Sequence, residues 1–194
     1  MKAISHHYFA LYKPDGYLSQ FLTNDRHAKR KKFLGSLHNF PNGTMAVGRL
    51  DEPSEGLLLL TTNGKYSTHI NKSGIEKEYY AQVDGVITSA AIDHLKKGVT
   101  ITVKDEPYIT KKAMVEKIET PLLPARNKKI RDDRHGPTSW VSITITEGKF
   151  RQIRKMTSAV GFPTLRLVRY RIGKFTIHGM DKGDVKVINV KFEK

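Results

Sequence analysis

Residues 140–172 read WVSITITEGKFRQIRKMTSAVGFPTLRLVRYRI, and the order of periodicities in this stretch decides the fold class. Residues 140–146 alternate with period two, the pattern of a strand. Over residues 150–160 the period changes to that of a helix. Ile153, Met156, Thr157 and Val160 fall at i, i+3, i+4 and i+7 on one face, while Arg151, Arg154, Lys155 and Ser158 repeat that spacing on another. Gly161 supplies the C-terminal stop. Residues 165–172 alternate apolar and basic, which predicts a strand with one cationic face carrying Arg166, Arg169 and Arg171.

Working outward, short strands dominate. Residues 8–12 (YFALY) read as a strand closed by the turn Lys13-Pro14-Asp15-Gly16. A short helix is expected near residues 28–34. A strand is expected over 45–50, followed by the loop Asp51-Glu52-Pro53-Ser54-Glu55-Gly56, then a buried strand over 57–61 and a turn at Asn63-Gly64. One or two helical turns follow over 65–71. Further strands are expected at 78–83, 99–103, 113–118 and 185–192. Residues 89–97 form a helix that Thr88 or Ser89 caps and Gly98 ends. Residues 120–138 hold Pro121, Pro124, Gly136 and Pro137 among basic residues, so they form an exposed loop whose length marks it as functional or mobile. The sum is α+β. Consecutive strands without long intervening helices favour a mostly antiparallel sheet with flanking helices. The 194 residues suit one domain spanning 1–194, or two small lobes sharing a cleft.

Charge is the informative bulk property. Lys and Arg number 34 against 19 Asp and Glu, a formal net of +15. The cations cluster. Between Glu147 and Asp181 there is no carboxylate, and further clusters occupy residues 26–32 and 126–134. Such clusters suit a phosphate backbone, which puts nucleic acid ahead of an acidic membrane surface or a small anion. No apolar run approaches the roughly 20 residues of a membrane helix, and no signal peptide is evident. The cytoplasm is the expected compartment. The chain has no cysteine, which excludes disulfides, thiolate catalysis and cysteine-bound metal.

Metal and cofactor motifs are missing as well. None of the eight histidines forms a ligand pair of the HExxH kind. There is no GxGxxG, no GxxxxGK[ST] and no GxSxG. The carboxylates remain. Asp51 stands at the end of an expected strand (GRLD), where a rigid element presents a loop. Arg49 points to the same side if the strand persists to it. The competing reading is an Asp that caps its own turn.

A resemblance bears on that choice. Residues 48–64 (GRLDEPSEGLLLLTTNG) resemble the signature loop of the pseudouridine synthases of the ribosomal small-subunit type, the RsuA-like family. Three further segments match in order: residues 11–21 (LYKPDGYLSQF) the KPxG motif, 77–85 (KEYYAQVDG) the tyrosine-bearing strand, and 147–173 the C-terminal helix and strand. The small N-terminal RNA-binding domain common in that family is expected to be absent, since the KPxG segment stands near residue 11. The loop at 122–140 is similar to that of the subgroup lacking this domain, the RluE-like enzymes of large-subunit ribosomal RNA.

The resemblance implies the pseudouridine synthase fold, with two lobes around a central RNA-binding cleft. It implies that a uridine in ribosomal RNA, in the 23S molecule for this subgroup, is isomerised after being turned out of its stack. Asp51 would be the essential carboxylate, acting as nucleophile or as base. Tyr79 would be the active-site tyrosine, with Tyr80 its competitor, and Arg154 the partner of the aspartate. Arg49 is expected to fill the space the base leaves, and Leu167 to line the pocket. Lys13, Lys149, Arg151, Lys155, Arg166, Arg169 and Arg171 are the expected RNA-facing cations, Lys13 also a buttress of the site. The reaction calls for no cofactor and no metal. A monomer without membrane attachment is expected. The rival reading is a non-catalytic RNA-binding or ribosome-assembly factor on the same fold.

Overall fold

The computed structural model describes residues 6–22, 30–131 and 133–190. In chain order its elements are β1 (Tyr8–Lys13), β2 (Tyr17–Leu18), β3 (Lys32–Phe33), β4 (Met45–Ala46), β5 (Glu55–Thr61), α1 (Gly64–Lys72), β6 (Lys77–Asp84), α2 (Ser89–Lys97), β7 (Thr100–Val103), β8 (Glu106–Ile109), β9 (Met114–Ile118), β10 (Thr138–Ile145), α3 (Gln152–Ala159), β11 (Thr164–Ile172), β12 (Phe175–Thr176) and β13 (Val185–Val187). The chain divides into two compact units. One is Met1–Ile75 with Phe175–Lys194, the other Glu76–Lys174.

In the first unit β1 pairs antiparallel with β13 on one side and β5 on the other, and β4 pairs with the end of β5. Every residue of β5 is buried. A strand covered on both faces has no need to alternate, which is why residues 57–60 read as an unbroken leucine run. Leu58 and Leu60 pack with Phe9, Leu11 and Leu34, and the rings of Phe21 and Phe40 close over this cluster edge to face. Asn63 starts α1. Its side-chain oxygen accepts from the amides of Lys65 and Tyr66, satisfying two donors that the first helical turn leaves open.

In the second unit the strands run in the order β11-β6-β10-β9, all antiparallel. Tyr79, Ala81 and Val83 are buried while Glu78, Tyr80, Gln82 and Asp84 are half-buried, so β6 separates two unlike faces. The Thr88 hydroxyl caps α2 by accepting from the Ala91 amide. Gly98 ends α2 at φ +102°, and a Cβ there would stand 2.3 Å from the Thr110 carbonyl oxygen. Only glycine fits that crossing.

The α+β class and the mostly antiparallel sheet agree with the sequence expectation, and several boundaries do not. The strand expected over 45–50 stops at Ala46, because the chain turns at Gly48, which has φ +72°. Of the helix expected near 28–34, residues 28 and 29 lie outside the described residues; 32–33 are strand and 34–36 form one 3₁₀ turn. The strand expected over 185–192 ends at Val187 in the structure, with 191–192 outside the described residues. β8 was not expected at all, since Pro107 interrupts its pattern; among the described residues it pairs with β7 alone, where an edge tolerates proline. Among the described residues no helix is long and apolar enough to cross a membrane.

Candidate active site

The loop that carries Asp51 is fastened on both sides of that residue. Before it, the Leu50 amide donates to the Ser19 hydroxyl at 2.9 Å, and that hydroxyl donates to the Leu50 carbonyl at 2.7 Å. After it, the Glu52 carbonyl accepts from the Gly16 amide at 2.8 Å and from the Lys13 ammonium at 3.3 Å. The Glu52 carboxylate also takes Lys31 at 2.7 and 3.0 Å. The Asp51 carbonyl closes the turn by accepting from the Ser54 amide at 3.0 Å. The half-buried Asp51 side chain therefore projects from a backbone with little freedom to move. Arg49 is exposed on the same loop. β4 stops at Ala46, so no strand aligns Arg49 with Asp51 as expected.

Lys13 is a correction. Its ammonium has no solvent exposure and donates to the carbonyls of Pro14 at 2.8 Å, Tyr17 at 2.7 Å and Glu52 at 3.3 Å. A cation so enclosed does not reach a phosphate. Its work is the buttressing half of the expectation: it ties β1 to the loop of Asp51.

The second unit gathers Tyr79, Leu167 and Arg169. Tyr79 pairs with Arg169 and Ile143, and Ala81 with Leu167 and Val141. Paired residues share a side of the sheet, so these residues lie on the buried face of β6. Lys77 lies on that face by period two; burial, then the charge of Arg169, push its ammonium below the ordinary value. On α3 the Thr157 hydroxyl meets that of Thr164 at 2.7 Å, and Thr164 pairs with Val83, which docks the helix on this same side. Arg154 is half-buried and donates to the Thr164 carbonyl at 3.2 Å. Tyr80, the competitor, occupies the other face. It stacks on Tyr170 at 4.5 Å, and burial, with Glu78 and Tyr170 beside it, pushes its phenol up to about 12.

The single cationic face expected on β11 is not formed. The strand carries irregularities between Thr164 and Arg166 and between Arg169 and Arg171. Arg169 sits beside Tyr79, while Arg166 pairs with Gln82 and Arg171 with Glu78 on the opposite face. Arg166 is buried, lies over the Trp140 ring and donates to the Pro124 carbonyl at 2.8 Å. Arg171 binds Glu78 at 2.8 Å and Glu76 at 3.1 Å. On α3 and the turn before it, Lys149 and Arg151 are exposed and Lys155 is half-buried.

Sequence reasoning passed over Ser19 and Glu147. Ser19 lies inside the KPxG segment, but nothing in its spacing ties it to Leu50, 31 residues on. Glu147 accepts from the Tyr108 hydroxyl, from the Lys111 amide at 2.9 Å and from Gln152 at 2.6 Å. Burial alone would raise its carboxyl; those hydrogen bonds and the Lys149 charge outweigh it and hold the group below the ordinary value. It thereby joins β8, the start of α3 and the end of β10. Among the described residues no group of three or more His, Asp or Glu side chains is placed to hold a metal ion.

Comparison with known proteins adds four findings. A family model described as RNA pseudouridylate synthase matches residues 7–159. The ribosomal large subunit pseudouridine synthase E of Vibrio vulnificus is 39% identical over 180 residues, covering 92% of this chain and 73% of that protein. The protein of the same name from Xanthomonas campestris is 38% identical over 180 residues, covering 91% and 92%. A solved pseudouridylate synthase superposes with a TM-score of 0.74 at 24% identity, over 97% of this chain and 73% of that one.

Proposed function

Because the chain belongs to the RNA pseudouridylate synthase family, we propose that it isomerises one uridine of large-subunit ribosomal RNA to pseudouridine, with Asp51 as the reacting carboxylate. The observation that carries the assignment is the fastening of the Asp51 loop at both Leu50 and Glu52. A carboxylate that must meet one sugar or base atom gains from such positioning, since a displacement of about 1 Å costs on the order of 100-fold in rate.

The reaction breaks the N1–C1′ bond, turns the base and joins C5 to C1′. The product is an isomer: C5 gives up its proton to solvent and N1 takes one up, so atoms and electrons balance. Asp51 acts on the uridine as nucleophile or as the base that takes a sugar proton. Tyr79 stacks on the base and assists removal of the C5 proton, and Arg154 is the basic residue of the catalytic set. Leu167 lines the pocket beside Tyr79, and Arg49 stacks into the space that the flipped nucleotide leaves. The shared name of the Vibrio and Xanthomonas relatives supports the large subunit as the source of the RNA.

Tritium release from RNA labelled at C5 of uridine tests this. Wild type is expected to release tritium from large-subunit RNA or from a partly assembled subunit, and Asp51→Asn to lose at least about 10³-fold, the scale of a removed acid–base or nucleophilic group. An active Asp51→Asn would sink the site assignment. Wild type that binds the RNA yet never releases tritium would instead favour an assembly factor.

A further inference from the structure

Three non-glycine residues among those described have a left-handed backbone: Lys104 at φ 52°, Asp105 at 65° and Arg151 at 52°. All three border one surface of the second unit. Lys104 and Asp105 are the two-residue turn between β7 and β8, a geometry that ordinarily selects Asn-Gly or Asp-Gly. Arg151 immediately precedes α3. Side chains held where glycine would be easier are a reason to look for a function.

The surface they border contains an exposed aromatic ring ringed by cations. Phe150 is 70% exposed. Lys155 lies over its ring at 5.4 Å and is itself fixed by donating to the Thr102 carbonyl at 2.6 Å. A cavity of about 670 Å³ opens beside the ring, walled by β7, the Lys104-Asp105 turn and residues 148–150. Its charged lining is Lys104, Lys149 and Lys155 against Asp105 alone. Arg151 lines the neighbouring groove with Asp105 and Lys155. Lys149 is steered by the Tyr108 ring, 4.6 Å from its ammonium. The β7–β8 turn and residues 148–150 thus both line this one cavity.

We propose that this surface is a second RNA contact, separate from the isomerised uridine, at which an unpaired base of the substrate stacks on Phe150 while its flanking phosphates meet Lys104, Lys149 and Arg151. It rests on the proposed function for the identity of the polyanion. The chemistry favours RNA over a protein partner. A protein-binding patch would carry few charges beside the ring, whereas here the charged side chains around it are three lysines against one aspartate. Stacking on an aromatic ring between phosphate-binding cations is how unpaired nucleotides are held without regard to sequence.

The test uses the full chain, an RNA fragment that wild type isomerises, and equilibrium binding at fixed salt. Phe150→Ala is expected to weaken binding about 5- to 100-fold, the range of one lost base stack. Phe150→Trp is expected to restore affinity to within about threefold, and its added indole emission to be quenched by saturating RNA. Lys104→Ala is expected to lower the slope of log K against log salt by about 0.7, one single-strand phosphate contact. Phe150→Ala binding within twofold of wild type overturns the proposal, and so does a Phe150→Trp indole unaffected by RNA. Either result leaves the tritium-release activity, and with it the proposed function, standing. Wild type that neither binds nor isomerises ribosomal RNA overturns both.

Discussion

Replacing Lys13 with methionine separates two roles that the sequence left together. Methionine preserves most of the buried volume and removes the ammonium. The Pro14 and Tyr17 carbonyls lose donors at 2.8 and 2.7 Å, while Glu52 keeps the Gly16 amide at 2.8 Å. Stranding a buried acceptor at Pro14 and a part-buried one at Tyr17 costs up to about 1–3 kcal/mol each, less at Tyr17 where water can reach. Removing a desolvated cation returns part of that sum. The expected net loss is about 2–4 kcal/mol, a large share of the roughly 5–15 kcal/mol that holds a domain folded.

The consequence for activity follows from where the third hydrogen bond goes. Without Lys13 the Glu52 carbonyl has one fastening fewer, and the freed loop displaces Asp51. Lys13→Met should lose at least about tenfold in single-turnover rate at saturating RNA, by the positioning argument, while affinity changes little. Urea unfolding gives the stability, a tritium-release time course the rate, and a salt titration of binding the number of phosphates met. A buried clamp predicts an unchanged salt slope. Wild-type stability combined with a slope shallower by about 0.7–0.9, one phosphate contact, would refute the reasoning and return Lys13 to the RNA surface.

Two further predictions follow from the second unit. Glu147 sits below its ordinary value of 4.5, so its ionised form stabilises the fold above that pH and the contribution fades as pH falls through the lower folded value. Glu147→Gln should be less stable than wild type at neutral pH, with the two unfolding curves converging in acid; a constant difference down to pH 3 would contradict the hub. Arg171→Ala should destabilise by about 1–2 kcal/mol, the scale of a half-buried charged pair, and a double-mutant cycle with Glu78→Gln should show the two to be coupled. Additive effects, or a shallower salt slope for Arg171→Ala, would mean that the arginine serves RNA instead.

The elements with strong periodicity were legible in the sequence. α2 spans residues 89–97 as its cap and glycine stop require, and α3 buries Ile153, Met156 and Thr157 as the spacing demands. β8 was not legible because Pro107 argues against a strand, and only its pairing with β7 overrides that. Asp51 stood out in the sequence as a carboxylate at the end of an expected strand, which in the structure stops at Ala46, and through four ordered segments as the residue proposed to react. The residues that fix it were not, since Ser19 and Lys13 act through contacts 31 and 39 positions distant. Long-range hydrogen bonds leave no periodic trace.

The cations show where composition misleads. A net charge of +15 suggests a surface on which most basic side chains await phosphate. Lys13, Arg166 and Arg169 are each less than a tenth exposed, and Arg171 is bound to two glutamates. A guanidinium has five donors in a rigid fork, which suits it to cross-linking strands as well as to gripping RNA. β11 uses that property in opposite directions. Its irregularity near Arg169 and Arg171 turns successive arginines to different faces, so one lies beside Tyr79 and the other joins β11 to β6. The sequence pattern LRLVRYRI is the same for both fates. What separates them is whether a carboxylate stands opposite in the paired strand, and on β6 that carboxylate is Glu78.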